Sequence, residues 1–206
     1  MRNEGILIVV SGFSGAGKGT LMKRLVEEYD GYSLSISATT REPRPGEEDG
    51  REYFFLSREQ FEKRIADHAL IEHAEYCGNY YGTPKDYVER ELAAGRDVIL
   101  EIEIQGALKI KEQYPDALLL FVSTPDAAEL RRRLSGRGTE TAEVIRKRLG
   151  RAAKEAEGIE AYDYIVINDD LETCVRELHG IIAAAHHAPG RNEAFIKKMR
   201  RELEGE

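Results

Sequence analysis

The sequence predicts an α/β fold, three layers built on a central parallel sheet, with an inserted mixed α/β lobe and a helical lid. Three observations carry that reading. Short apolar runs at residues 5–10, 97–102, 118–122 and 164–167 recur between amphipathic stretches, the rhythm of repeated strand–helix units. A glycine-rich turn ending in a lysine follows the first run directly, residues 12–20 reading G-F-S-G-A-G-K-G-T. Between about 33 and 85 the rhythm breaks, as an insertion would make it break. The expected organisation is a core domain of residues 1–32 and 86–206, its lid at about 134–157, and an inserted lobe of residues 33–85. A chain of 206 residues has room for one core with such an insertion.

Each element has its own local reason. Residues 5–10 are continuously apolar, as a strand covered on both faces must be. Residues 18–29 form the helix behind the glycine turn. Residues 33–37 read as a second short strand, and 39–50, rich in Pro, Gly and Arg, as a loop. Residues 51–56 alternate weakly and read as a strand. Ser57-x-x-Gln60 is a capping box that opens a helix to Ile65. Residues 70–76 and 80–82 are expected to be extended. Thr83 then reads as an N-cap with Pro84 at the first helical position, and Gly95 stops that helix. A buried strand at 97–102, a helix at 105–113 and a strand at 118–122 follow. Thr124-Pro125 opens a helix through Leu134, Gly136-Arg137-Gly138 breaks it, and helix resumes at about 141–156. The last core strand is 164–167. Helices at 171–185 and 192–203 close the chain, separated by Pro189-Gly190.

Composition narrows the function. Apolar residues make up 41% of the chain and the net charge is −8, which argues against a general nucleic-acid or membrane-surface binder. The charge is uneven. Residues 131–154 hold nine Lys and Arg against two Glu, either a solvated helix face or, if the glycine turn binds phosphate as argued below, a basic flap over phosphates; the flap is the reading we favour. Cys77 and Cys174 lie far apart with no C-x-x-C, as expected of free thiols in a reducing compartment. No apolar run suits a signal peptide or a membrane span, so the expected location is the cytoplasm. The histidines show no metal-site spacing.

The glycine turn carries the first chemistry. Gly12, Gly15 and Gly17 let the backbone curl so that successive N–H groups, including those of Phe13, Ser14 and Ala16, point at one anion. The helix that starts near Gly17 adds its positive end, and Lys18 adds a full charge for the β- and γ-phosphates. Gly19 stands where most such loops carry a Ser or Thr that ligates Mg²⁺, and Thr20 follows as a partial substitute. The G-A-G-K-G-T form resembles adenylate kinases.

The inserted block carries a second constellation. Arg41 and Arg44, fixed by Pro43 and Pro45, can present two guanidinium forks to one phosphate. Tyr53 and Tyr81 can add hydroxyl donors. Taken singly, each is as readily a surface arginine or a small-core tyrosine. With S-x-T-T-R-x-P-R-x-G-E, then E-H-A-E and G-N-Y-Y-G-T, E-I-E-x-Q-G-A, G-R-G-T and I-V-I-N-D-D-L, they resemble the guanylate kinases from about residue 5 to 182. The resemblance implies transfer of the γ-phosphoryl group of ATP to GMP. It implies that Arg41, Arg44, Tyr53 and Tyr81 bind the GMP phosphate and that Ser37, Glu72 and Thr83 read the guanine. The chemistry agrees, because guanine offers N1–H and a 2-amino group side by side to one carboxylate. Adenine would leave Glu72 facing a lone pair, a mismatch worth up to about 10⁴-fold.

By the same resemblance Glu101 serves Mg²⁺, directly or through water, beside the loop's own Thr20, and Glu103 serves the guanine side. In many members of the family Asp fills one or both glutamate positions. Arg133, Arg137 and Arg148 are the lid arginines, and Asn168 lies near the ATP adenine. Phosphoryl transfer asks for positioning and charge neutralisation more than for a general base. Two rivals stand beside this reading: another nucleoside monophosphate kinase, suggested by Gly19-Thr20, and a non-catalytic guanylate-kinase-like module that binds phosphopeptides. The intact Lys18 and the guanine-reading set argue against them. The sequence leaves open whether the protein is a monomer or a homodimer.

Overall fold

The structure is a computed structural model that describes residues 4–76, 78–136 and 142–205. The chain opens with β1 (Leu7–Gly12), α1 (Lys18–Glu28), β2 (Tyr32–Leu34), β3 (Ala38–Thr39) and β4 (Phe54–Phe55). It continues through α2 (Arg58–Ala66), β5 (Leu70–Tyr76), β6 (Asn79–Pro84), α3 (Lys85–Ala93), β7 (Asp97–Glu101) and α4 (Ile104–Gln113). Then come β8 (Leu118–Ser123), α5 (Ala127–Ser135), α6 (Ala142–Ala156), β9 (Tyr164–Ile167), α7 (Leu171–Ala185) and α8 (Glu193–Glu204). No helix among the described residues is long and apolar enough to cross a membrane.

Five strands form a parallel sheet in the order β2-β7-β1-β8-β9. The central strands β7, β1 and β8 are covered on both faces, which explains their unbroken apolar runs. At the edge strand β9 only Val166 is buried, and Tyr164, Ile165 and Ile167 are exposed, contrary to the core strand expected at 164–167. Ile6, Ile8 and Val10 pack toward α1 (Leu21, Leu25) and α7 (Val175, Leu178). Leu7 and Val9 pack with Val88 of α3 and with Ala107 and Ile110 of α4. Fully burying each such side chain contributes about 1.5–3 kcal/mol. The three-layer α/β fold expected from the sequence is present.

A second, mixed sheet runs β4-β3-β6-β5, with β3 and β4 parallel and the other pairs antiparallel. Phe61 of α2 is fully buried and stacks on Tyr80 of β6 at 5.3 Å between ring centroids. The capping box at the start of α2 is complete: Gln60 N donates to Ser57 Oγ at 3.1 Å, and Ser57 N donates to Gln60 Oε1 at 2.8 Å.

Four elements differ from the sequence expectation. Tyr32–Leu34 pairs with β7, so residues 33 and 34 belong to the core sheet rather than to the mixed one. The strand expected at 51–56 shortens to Phe54–Phe55. Thr83 is a strand residue and does not cap α3; its hydroxyl is committed to Glu72. Helix α5 is capped by Asp126, whose side chain accepts from Glu129 N at 2.7 Å, and not by Thr124. At Thr83 a tertiary partner claims the hydroxyl and α3 starts after Pro84 without a side-chain cap, and at α5 a better-placed carboxylate takes the role that local chemistry assigned to Thr124.

Candidate active site

The carboxyl end of β1 becomes the phosphate loop. Gly17 occupies the N-cap position of α1 at φ 89°, and a Cβ there would stand 2.6 Å from Asn168 Nδ2. Asn168 is buried and donates from Nδ2 to Ala16 O at 2.8 Å, tying the loop to the end of β9. Arg133 backs the same point. It donates to Asn168 O at 2.8 Å and Ala16 O at 3.4 Å, and pairs with Glu129 at 2.6 Å. Phe13 packs edge-on against Phe121, and Gly15 lies against Leu134.

Lys18 Nζ reaches back into the loop, donating to Gly12 O at 2.8 Å and Phe13 O at 3.2 Å. Burial pushes its pKa down, and the charges of Glu101, Glu155 and Glu103 oppose that shift. Gly19 and Thr20 are both exposed, and a Cβ on Gly19 would stand 3.9 Å from Glu101 Oε2. A cavity of about 350 Å³ opens here, between Gly12, Ser14 and Lys18 on one side and Glu101, Glu103, Arg148 and Arg151 on the other. Arg148 donates to Ser14 Oγ at 3.3 Å, which places α6 over the loop.

A second cavity, of about 380 Å³, shares Glu101, Ile102 and Glu103 with the first. Ser37, Tyr53, Glu72 and Tyr81 line it. Glu72 Oε1 accepts from the fully buried Thr83 hydroxyl at 2.9 Å. Burial raises the Glu72 carboxyl above its ordinary pKa, while the Thr83 hydroxyl and the charge of Lys109 work the other way. The rings of Tyr53 and Tyr81 meet edge to face at 6.1 Å.

The two arginines of the 39–50 loop meet at Glu47. Arg41 donates from Nη2 to both Glu47 oxygens, at 2.9 Å each, and lies 5.3 Å from the centroid of the Tyr53 ring. The backbone N–H of Arg44 donates to the same carboxylate at 2.7 Å, and its side chain is exposed. The Arg44 N–H and the Arg41 guanidinium hold Glu47 below the ordinary glutamate range. The Glu47 carboxylate therefore sits against the Arg41 guanidinium and the Arg44 backbone N–H.

Residue by residue, the structure gathers Gly12, Ser14, Lys18, Glu101, Glu103 and Arg148 around one cavity, and Ser37, Tyr53, Glu72 and Tyr81 around its neighbour. Arg133 and Asn168 stand behind the loop rather than over it. Arg137 lies outside the described residues, as does Cys77. Sequence reasoning missed Arg151 and Glu155 in the first cavity and Lys109 in the second. The signal for Arg151 and Glu155 was helical spacing: they follow Arg148 by three and seven residues and share its face. Among the described residues there is no cluster of three or more His, Cys, Asp or Glu that could hold a metal ion.

Two cavities that meet at one acidic strand end, one of them floored by a phosphate loop, place this chain among the P-loop kinases that pass a phosphoryl group between two nucleotides. Comparison gives the particular family. A family model described as guanylate kinase matches residues 4–185. The guanylate kinase of Desulfitobacterium hafniense is 52% identical over 183 residues, which are 89% of this chain and 92% of that one. That of Halalkalibacterium halodurans is 48% identical over 205 residues, 100% of this chain and 99% of the relative. The crystal structure of guanylate kinase from Anaplasma phagocytophilum superposes with a TM-score of 0.73 at 33% identity, covering 92% of this chain and 90% of that one. The chain belongs to the guanylate kinase family and is an ATP:GMP phosphotransferase.

Proposed function

We propose that transfer from ATP to GMP takes place where the two cavities meet, with ATP phosphates in the loop cavity and GMP in its neighbour. The observation that carries this is the shared wall of Glu101, Ile102 and Glu103, which brings the two openings to one point. Loop N–H groups and Lys18 take the β- and γ-phosphates; to do so, Lys18 leaves its contacts with Gly12 O and Phe13 O. Arg148 and Arg137 come from the lid to the developing charge. Arg133 and Asn168 hold the loop in shape.

On the GMP side Glu72 accepts the guanine N1–H and 2-amino group, with Thr83 and Ser37 beside it. Thr83 fixes the carboxylate through its 2.9 Å hydrogen bond. The GMP phosphate displaces Glu47 from Arg41 and Arg44, and the Tyr53 and Tyr81 hydroxyls complete its shell. Glu103 completes the guanine side. The carboxylate of Glu101 is a hard oxygen donor lining the loop cavity, and the hydroxyl of Thr20, two residues after Lys18 and exposed, is a second hard donor; such a set fits Mg²⁺, which retains several waters and binds few protein groups. Bound there with ATP, Mg²⁺ would supply charge neutralisation at the phosphates.

The working units are the expected core of residues 1–32 and 86–206, to which Ser33 and Leu34 are added by their pairing with β7, with a lid at about 134–157, and the rest of the expected 33–85 lobe, which closes on the core when GMP binds. Closure excludes water and prevents idle hydrolysis of ATP. The protein acts in the cytoplasm on small molecules, without nucleic acid or membrane. The test is a coupled ADP-release assay with Mg-ATP and GMP, AMP, UMP or no acceptor. Turnover with GMP that is lost in Lys18→Ala and weakened in Glu72→Ala supports the site. Unchanged GMP turnover in both variants overturns it.

A further inference from the structure

Arg151 stands in the phosphate cavity without being one of the three arginines expected there. It follows Arg148 by three residues on α6, so both guanidinium groups leave one helix face, the face turned to the loop. Arg151 reaches across the opening to an ion pair with Glu103, the residue at the N-cap position of α4. Its Nε also donates to Glu155 at 3.0 Å. The lining is thereby balanced in charge: Lys18, Arg148 and Arg151 face Glu101, Glu103 and Glu155.

A polyphosphate entering this cavity upsets that balance. The Arg151–Glu103 pair is the one that yields most easily, because its side chains are 44% and 70% exposed and exposed pairs are weak. A guanidinium–phosphate contact in a closing cleft is charge-assisted and two-pronged, hence stronger. We propose that Arg151 is a further phosphoryl-binding residue: Glu103 holds it across the cleft, and on nucleotide binding it exchanges that carboxylate for the transferring phosphoryl group, releasing Glu103 to GMP. The proposal rests on the assignment of this cavity as the transfer site. It gives α6 two phosphate-facing cations instead of one.

The test compares Arg151→Gln, Arg151→Lys, Glu103→Gln and Lys18→Ala by steady-state kinetics and melting temperature. Calorimetry adds the affinities for ADP, for GMP, and for ADP and GMP with aluminium fluoride. Arg151→Gln should lower kcat by about tenfold or more while the KM for GMP stays within about twofold. It should weaken the aluminium fluoride complex by a similar factor and leave the binding of ADP alone or GMP alone unchanged. Arg151→Lys, which keeps the charge and the melting temperature, should fall between. An unchanged kcat in both Arg151 variants overturns the proposal. So does an equal rise in the GMP KM in Arg151→Gln and Glu103→Gln with kcat intact, which would make Arg151 a support for Glu103 alone. Turnover that survives Lys18→Ala would instead overturn the assignment of the cavity itself, whatever the Arg151 variants do.

Discussion

At the scale of the residue, Glu72 carries the sharpest expectation. Its carboxylate is held by Thr83 in a buried setting, so Glu72→Gln sets an amide donor against a guanine donor. The KM for GMP should rise by about 10- to 100-fold with little change in the KM for ATP, read in the coupled assay. Acid should act on the same group. Burial raises the Glu72 carboxyl, so its protonated form appears at higher pH than that of an exposed glutamate, and that form cannot accept both guanine donors. GMP affinity measured by calorimetry should therefore weaken on acidification before ordinary carboxylates titrate, and Glu72→Gln should lose that limb of the profile. Gly17 makes a different kind of point. Its left-handed backbone and the 2.6 Å approach of Asn168 leave no room for a methyl group. Gly17→Ala should destabilise the fold by about 1–3 kcal/mol in urea unfolding and raise the KM for ATP, because the Asn168–Ala16 bond must break.

At the scale of the element, α2 and α8 contrast. The capping box of α2 satisfies two backbone N–H groups at an exposed helix end. Ser57→Ala should cost about 1 kcal/mol of stability and leave guanine discrimination intact, a split that urea unfolding and kinetics separate directly. Helix α8 lies beyond residue 185, where the family match ends. It places Phe195, Met199 and Leu203 at helical spacing with 61%, 37% and 81% of their surface exposed. Among the described residues, none of α8 lines either cavity. Removal of residues 189–206 should leave kcat and both KM values within about twofold.

At the scale of the whole molecule, the two sheets are joined through β5, which packs on α4 of the core. GMP binding therefore bears on the same framework that carries Glu101 and Glu103. Thermal unfolding should show one transition for both lobes. A ligand joining adenosine and guanosine through phosphates should raise its midpoint by about 5–10 °C at a hundred times its Kd. Two transitions, of which only one responds, would show lobes that fold and bind independently.

The sequence alone determined the parallel α/β core, because a strand covered on both faces must be apolar at every position, as Leu7 to Val10 are. It determined the phosphate loop for a related reason: glycine spacing and a lysine are local requirements, met within nine residues. The capping box of α2 was legible on the same ground. What depended on distant partners was not. Thr83 read as a helix cap because local chemistry favours that role, and only the pairing of β5 with β6 brings it to Glu72. Arg133 read as a lid residue, and only the fold turns it onto Ala16 and Asn168, residues 117 and 35 positions away. Arg151 had the spacing but no visible partner until α6 was laid across Glu103. Local propensity and backbone chemistry are written along the chain. The destination of a long charged side chain is decided by which carboxylates and carbonyls the tertiary structure brings within reach.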